Sequence, residues 1–133
     1  MTERDLKDFL CKKRALDRAE NTLRDFETAI YGPTGSRPSG TPQEKKFPED
    51  KMAIIAHRHN ELRRNRDGAE EALRRAEANL LIAATALTGD ELIFFRKRYV
   101  EGKSFEAIML EMHISRPTSF RLRCRIIEHI GSL

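Results

Sequence analysis

Apolar residues recur along the first thirty positions with the period of a helix seam. Phe9, Leu16, Leu23 and Ile30 fall at sevens, with Ala19 and Phe26 in the alternate positions, so the spacing predicts a helix over 2–31 whose narrow stripe seeks a partner helix. Thr2 reads as its N-cap, and Glu3 and Asp5 place acids in the first turn, where they complement the helix dipole. The pattern returns at Lys51. Met52, Ile55, His59, Leu62, Arg66, Ala69, Leu73, Ala76, Leu80, Ala83 and Leu87 are spaced alternately three and four apart, which predicts a second helix over 51–87, ~55 Å long at 1.5 Å per residue. His59 and Arg66 interrupt that seam, and Gly68 weakens the same region by ~1 kcal/mol relative to alanine. Neither helix can bury its stripe alone. An antiparallel hairpin over 1–88 follows, with the remaining seam left either for self-association, most simply a homodimer, or for an all-intramolecular arrangement in which the C-terminal unit covers one end.

Between the two periodic stretches the chain reads "GPTGSRPSGTPQEKKFPED" over 32–50, rich in glycine and proline that no helix interior accommodates. It is a connecting loop. A phosphate cradle would need a preceding strand and a Gly-Lys-Ser/Thr ending, and the stretch has neither.

After Thr88 and Gly89 the pattern shortens. A helix opening on Asp90 and Glu91 runs through "LIFFRKRYVE" to Gly102, Ser104 caps a second carrying Ile108 and Met112, and Ser115 caps a third with Pro117 in its first turn. Three short helices with a tight turn before the last spell a helix-turn-helix over 89–133. Phe95, Tyr99, Ile108, Met112, Ile114, Leu122 and Ile126 are its expected core. The last helix carries Arg116, Arg121, Arg123 and Arg125 and no acid over 116–125. Arg121 and Arg125 are four apart and share a face, which the phase of Leu122 and Ile126 turns outward. Arg116 and Thr118 occupy the first turn, the part of a recognition helix that meets base edges. Arginine can grip guanine with two donors, and Ser115, Thr118 and Ser119 can reach phosphates or bases. Arg116, Thr118, Arg121 and Arg125 are therefore the expected DNA contacts, with Ser115, Ser119, Phe120 and Arg123 in support.

Composition agrees with an all-α chain. Of 133 residues, 35% are charged and 39% hydrophobic, with no tryptophan, and a mean hydropathy of −0.61 suits long exposed helices. The formal charge of +4 permits a polyanionic partner without demanding one, so the placement of charge matters more than its sum. Cys11 and Cys124 stand at opposite ends without metal-ligand spacing, which argues against a zinc site or disulfide framework and for a reducing, cytoplasmic setting. The uncharged run "ANLLIAATALTG", 78–89, is too short to span a bilayer. His57 and His59 alternate on a helix and cannot readily chelate one ion, while His129 suits the negative end of the last helix. No nucleophile, base and orienting partner share a recognisable spacing. Neither enzymatic activity nor a cofactor is expected.

The stretch "RYVEGKSFEAIMLEMHISRPTSFRLRCRII" resembles the promoter-reading region 4 of bacterial sigma factors, through Arg98, Tyr99, Gly102, Ser104, Ile108, Ser115, Arg121 and Leu122. It is closer still to the RinA and ArpU type of late-gene activator in phages of Gram-positive bacteria, whose N-terminal helical hairpin has an interruption similar to "SRPSGTPQEKKFPEDKMA". The resemblance implies a phage or prophage transcriptional regulator in the bacterial cytoplasm that binds double-stranded DNA sequence-specifically and contacts RNA polymerase. Two positions depart from the pattern: Met109 replaces a small residue, so the crossing helices must separate or repack, and His113 replaces the turn glycine. Two other readings stay open, a small terminase-like DNA-packaging subunit and a protein-interaction module that does not bind DNA.

Overall fold

A computed structural model describes residues 1–32 and 49–133. The described residues form only helices and turns: α1 (Glu3–Tyr31), α2 (Glu49–Thr85), α3 (Asp90–Phe95), α4 (Phe105–Met112) and α5 (Arg116–Gly131). The chain is all-α. Most of the 32–50 connection lies outside the described residues. No described helix is long and apolar enough to cross a membrane.

Contacts divide the chain into two compact units, Met1–Arg14 with Ala72–Leu133, and Ala15–Glu71. The sequence suggests a boundary near Thr88, whereas the contacts draw both ends of the long helices into the C-terminal unit. The reason is the seam itself. Leu6, Leu80, Ala83 and Leu87 belong to the same buried cluster as Phe94, Phe95, Tyr99, Ile108, Leu122, Ile126 and Ile130. Each large side chain fully buried here contributes roughly 1.5–3 kcal/mol. Met112 and Ile114 pack partly buried against the cluster. The expected core is thus present, enlarged by Leu6, Leu80, Ala83, Leu87, Phe94 and Ile130.

Within this unit α1 begins with half of a capping box: the Thr2 N–H donates to Asp5 Oδ2 at 2.8 Å. α3 opens at Gly89, whose φ of 60° and ψ of −132° lie in territory barred to residues with a Cβ. It continues into a π-helical turn, Arg96–Val100. The chain leaves that turn through Gly102 at φ +71°, and the Lys103 N–H closes back on the Lys97 carbonyl at 3.0 Å, the left-handed glycine ending the turn as glycine commonly ends a helix. A Cβ at Gly102 would sit 3.2 Å from Leu10 Cδ1, so glycine also allows α1 to approach. His129 lies in the last turn of α5. Its Nδ1 is 3.3 Å from Glu91 Oε2 and 3.4 Å from the Ala86 carbonyl oxygen. Glu91 Oε2 is buried and has no aligned hydrogen bond among the described residues.

In the other unit Leu23 and Leu62 are buried, while Leu16, Ala19, Phe26, Ile30, Ile55, Arg66 and Ala69 are half-buried. Met52 is 57% exposed, so burial along the α2 seam starts at Ile55. His59 is hydrogen-bonded through Nε2 to Glu27 Oε1 at 2.9 Å and stacks on Phe26, ring centroids 5.8 Å apart. Arg66, two turns further along α2, shares a groove with Glu20, Leu23 and Arg24. Later residues of α2 thus meet earlier residues of α1, and the segments in this unit run antiparallel. The polar interruption at His59 is satisfied by a partner that the seam pattern does not reveal. Among the described residues no group of three or more His, Cys, Asp or Glu side chains is placed to hold a metal ion.

Candidate nucleic-acid interface

The candidate surface is built by α4, a three-residue turn and α5. Ser104 caps α4, its side chain accepting from the Ala107 N–H. The helix ends at His113, which takes the left-handed conformation (φ 53°, ψ 44°) with its N–H on the Met109 carbonyl. Ile114 N–H bonds the same carbonyl at 3.1 Å. Glycine adopts this left-handed conformation freely, whereas histidine adopts it at a cost of ~1–2 kcal/mol. Ser115 then caps α5, accepting from the Thr118 N–H at 3.4 Å, and its hydroxyl lies 2.9 Å from Thr118 Oγ1. Arg116 and Pro117 occupy the first turn, where the missing proline N–H leaves no bond unmade.

The eight expected contact residues separate into distinct groups. Arg116, Arg121 and Arg125 are exposed, and none of their guanidinium groups makes an ion pair or hydrogen bond with a described residue. Ser115 is exposed and Thr118 half-buried, each engaged in the cap. Phe120 remains 45% exposed although it stacks on Phe105 at a centroid distance of 6.0 Å. Arg98 also packs on Phe105, its guanidinium carbon 4.3 Å from the centre of the ring.

Two of the eight are turned inward. Ser119 is 1% exposed and donates to the Arg116 carbonyl at 2.7 Å, because it lies on the stripe shared with Leu122 and Ile126. Arg123 lies two positions from both Arg121 and Arg125, and two helical steps of ~100° turn it to the opposite side. There it grips Glu3: Nε donates to Oε1 at 2.9 Å and Nη2 to Oε2 at 2.8 Å. Tyr99, itself buried, donates its hydroxyl to the same Oε1 at 3.0 Å. The Arg123 bonds hold the Glu3 carboxyl down to about 2, with Tyr99 and Lys7 adding to the effect against the opposing cost of burial. Burial, followed by the negative charge of Glu3, pushes the Tyr99 hydroxyl well above its ordinary value. Glu3 is the partner of Arg123 and Tyr99 that sequence reasoning missed. The available signal was the buried tyrosine hydroxyl, which needs a partner but does not name one.

Neighbouring cations are neutralised. Lys97 and Lys103 both donate to Glu111, at 2.8 and 2.6 Å. Also, α5 runs on to Gly131 and so includes one acid, Glu128, beyond the acid-free stretch. Among the described residues, the positive charge left uncommitted on α5 is therefore that of Arg116, Arg121 and Arg125, on the N-terminal two-thirds of the helix. Such a surface can approach a phosphate backbone without breaking internal pairs. Comparison of the chain with family models, with curated proteins and with solved structures gives no match.

Proposed function

We propose that this chain is a sequence-specific DNA-binding transcriptional regulator of a phage or prophage, with α4, the turn and α5 acting as a helix-turn-helix. The observation that supports this most is that Arg121 and Arg125, one helical turn apart, are exposed on the outward side of α5 and their guanidinium groups have no partner among the described residues. Unpaired guanidinium groups on one helix face suit phosphates and guanine edges, which they can hold bidentately. Arg116 and Thr118 extend that surface to the first turn. Self-association as a homodimer through the α1 and α2 seams and contact with RNA polymerase complete the reading, in the cytoplasm of a bacterial host.

The experiment is to map which fragments of the encoding element's genome the purified chain retains at physiological salt. Enrichment at a promoter-proximal segment is expected. Enrichment at the packaging start would replace this reading with a terminase-like one, and retention without enrichment would overturn it, because nonspecific attraction weakens steeply with salt.

A further inference from the structure

Glu3 opens α1, yet its carboxylate is bonded to α5. Its two oxygens receive three hydrogen bonds from two elements, Tyr99 Oη at 3.0 Å and Arg123 at 2.9 and 2.8 Å. The residue before the start of α1 also bonds the chain just beyond α5: the Met1 ammonium donates to the Leu133 carbonyl at 3.3 Å. A paired arginine fork is planar and directional, so it fixes rotation as well as distance. Rotating a helix by about 20° would move a surface side chain at ~5–6 Å radius by about 2 Å, enough to break a bidentate contact.

We infer that the first turn of α1 is part of the DNA-reading module, with Glu3 a positioning residue that sets the rotation of α5 through Arg123 and Tyr99. The inference rests on the DNA-binding reading above. Glu3 touches no nucleic acid in this scheme. It holds the inner side of α5 so that Arg121 and Arg125, on the opposite side, meet the groove at one angle. Arg123 is thereby moved from the contact surface to the scaffold.

The test uses full-length wild type and the variants E3Q, Y99F, R123K and the double variant E3Q/R123K. Each is titrated with the most enriched genomic duplex and with a random duplex of equal length, across a salt series. E3Q keeps the side chain's shape but loses its charge, and R123K keeps the charge but loses the fork. Each is expected to lower the ratio of specific to random affinity about tenfold, with the double variant no worse than either single one, because the two groups act as a unit. Y99F should produce a smaller loss in the same direction. The slope of random-duplex affinity against salt should be unchanged for E3Q. An unfolded fraction lowers both affinities equally, so the ratio is insensitive to it.

A rise in random-duplex affinity with a steeper salt slope in E3Q would make Arg123 a phosphate ligand restrained by Glu3 and would overturn the positioning role. Equal losses on both duplexes would reduce Glu3 to general stability and overturn it too. Unchanged ratios beside a selective wild type would defeat this inference alone. A wild type without selectivity would defeat the DNA reading and the inference with it.

Discussion

Glu3 and Arg123, 120 residues apart in sequence, are joined by two hydrogen bonds in a fork of 2.8 and 2.9 Å. The Glu3 carboxyl is drawn down from 4.5 to about 2, chiefly by Arg123, with Tyr99 and Lys7 facing the same group. A carboxyl depressed on folding contributes stability that is full above its unfolded value and is lost as pH falls toward its folded value. Urea unfolding at pH 7, 4 and 2.5 should show this loss between pH 4.5 and 2. The E3Q variant should be less stable by about 2 kcal/mol at pH 7. Its deficit should shrink toward pH 2, and a deficit that stays constant with pH would detach the effect from ionisation.

Gly68 offers the opposite expectation. It sits inside α2, is exposed, and a Cβ built there meets nothing within 4 Å. Gly68→Ala should stabilise the chain by ~0.5–1 kcal/mol through helix propensity. Thermal unfolding checks it, and a lowered midpoint would show that the glycine serves a contact.

Much of the architecture was readable because it depends on local periodicity. Leu62, Ala76, Leu80, Ala83 and Leu87 are buried where three-four spacing puts them. Ser104 and Ser115 cap the helices they precede, since capping requires only near neighbours. Arg123 and Ser119 lie away from the expected contact surface for a related reason. Charge and hydroxyl chemistry suggested a contact surface, while helix phase, which turned Arg121 and Arg125 outward, turns these two inward. The partner of Arg123 was not readable at all, because no local rule ties position 3 to position 123. Similarly, the seam marked His59 as an interruption but held no sign that Glu27 would accept from it.

Gly89 and His113 both have positive φ and should respond oppositely to substitution. Gly89 combines φ 60° with ψ −132°, so Gly89→Ala should cost about 1–3 kcal/mol in backbone strain even though the space around it is open. His113 lies in the ordinary left-handed region at φ 53° and ψ 44°, so His113→Gly should relieve strain and stabilise by up to ~1 kcal/mol. Chemical denaturation of both variants checks the pair. Destabilisation of His113→Gly would mean that the imidazole makes a contribution larger than the strain it causes.

Arg121 and Arg125 share a face but sit at different depths along α5, which predicts different roles. Arg121 is nearer the helix start, the part of a recognition helix that meets base edges. Arg121→Ala should cost ~1–3 kcal/mol on the enriched duplex, cost less on random DNA, and relax preference at one base position. Arg125→Ala should weaken both duplexes alike and make the salt slope shallower by about 0.9, the signature of one lost phosphate contact. Quantitative binding across a salt series, with single-base variants of the duplex, separates the two. Arg121→Ala that leaves both affinities unchanged would remove Arg121 from the interface, and with it the strongest reason for reading α5 as a recognition helix.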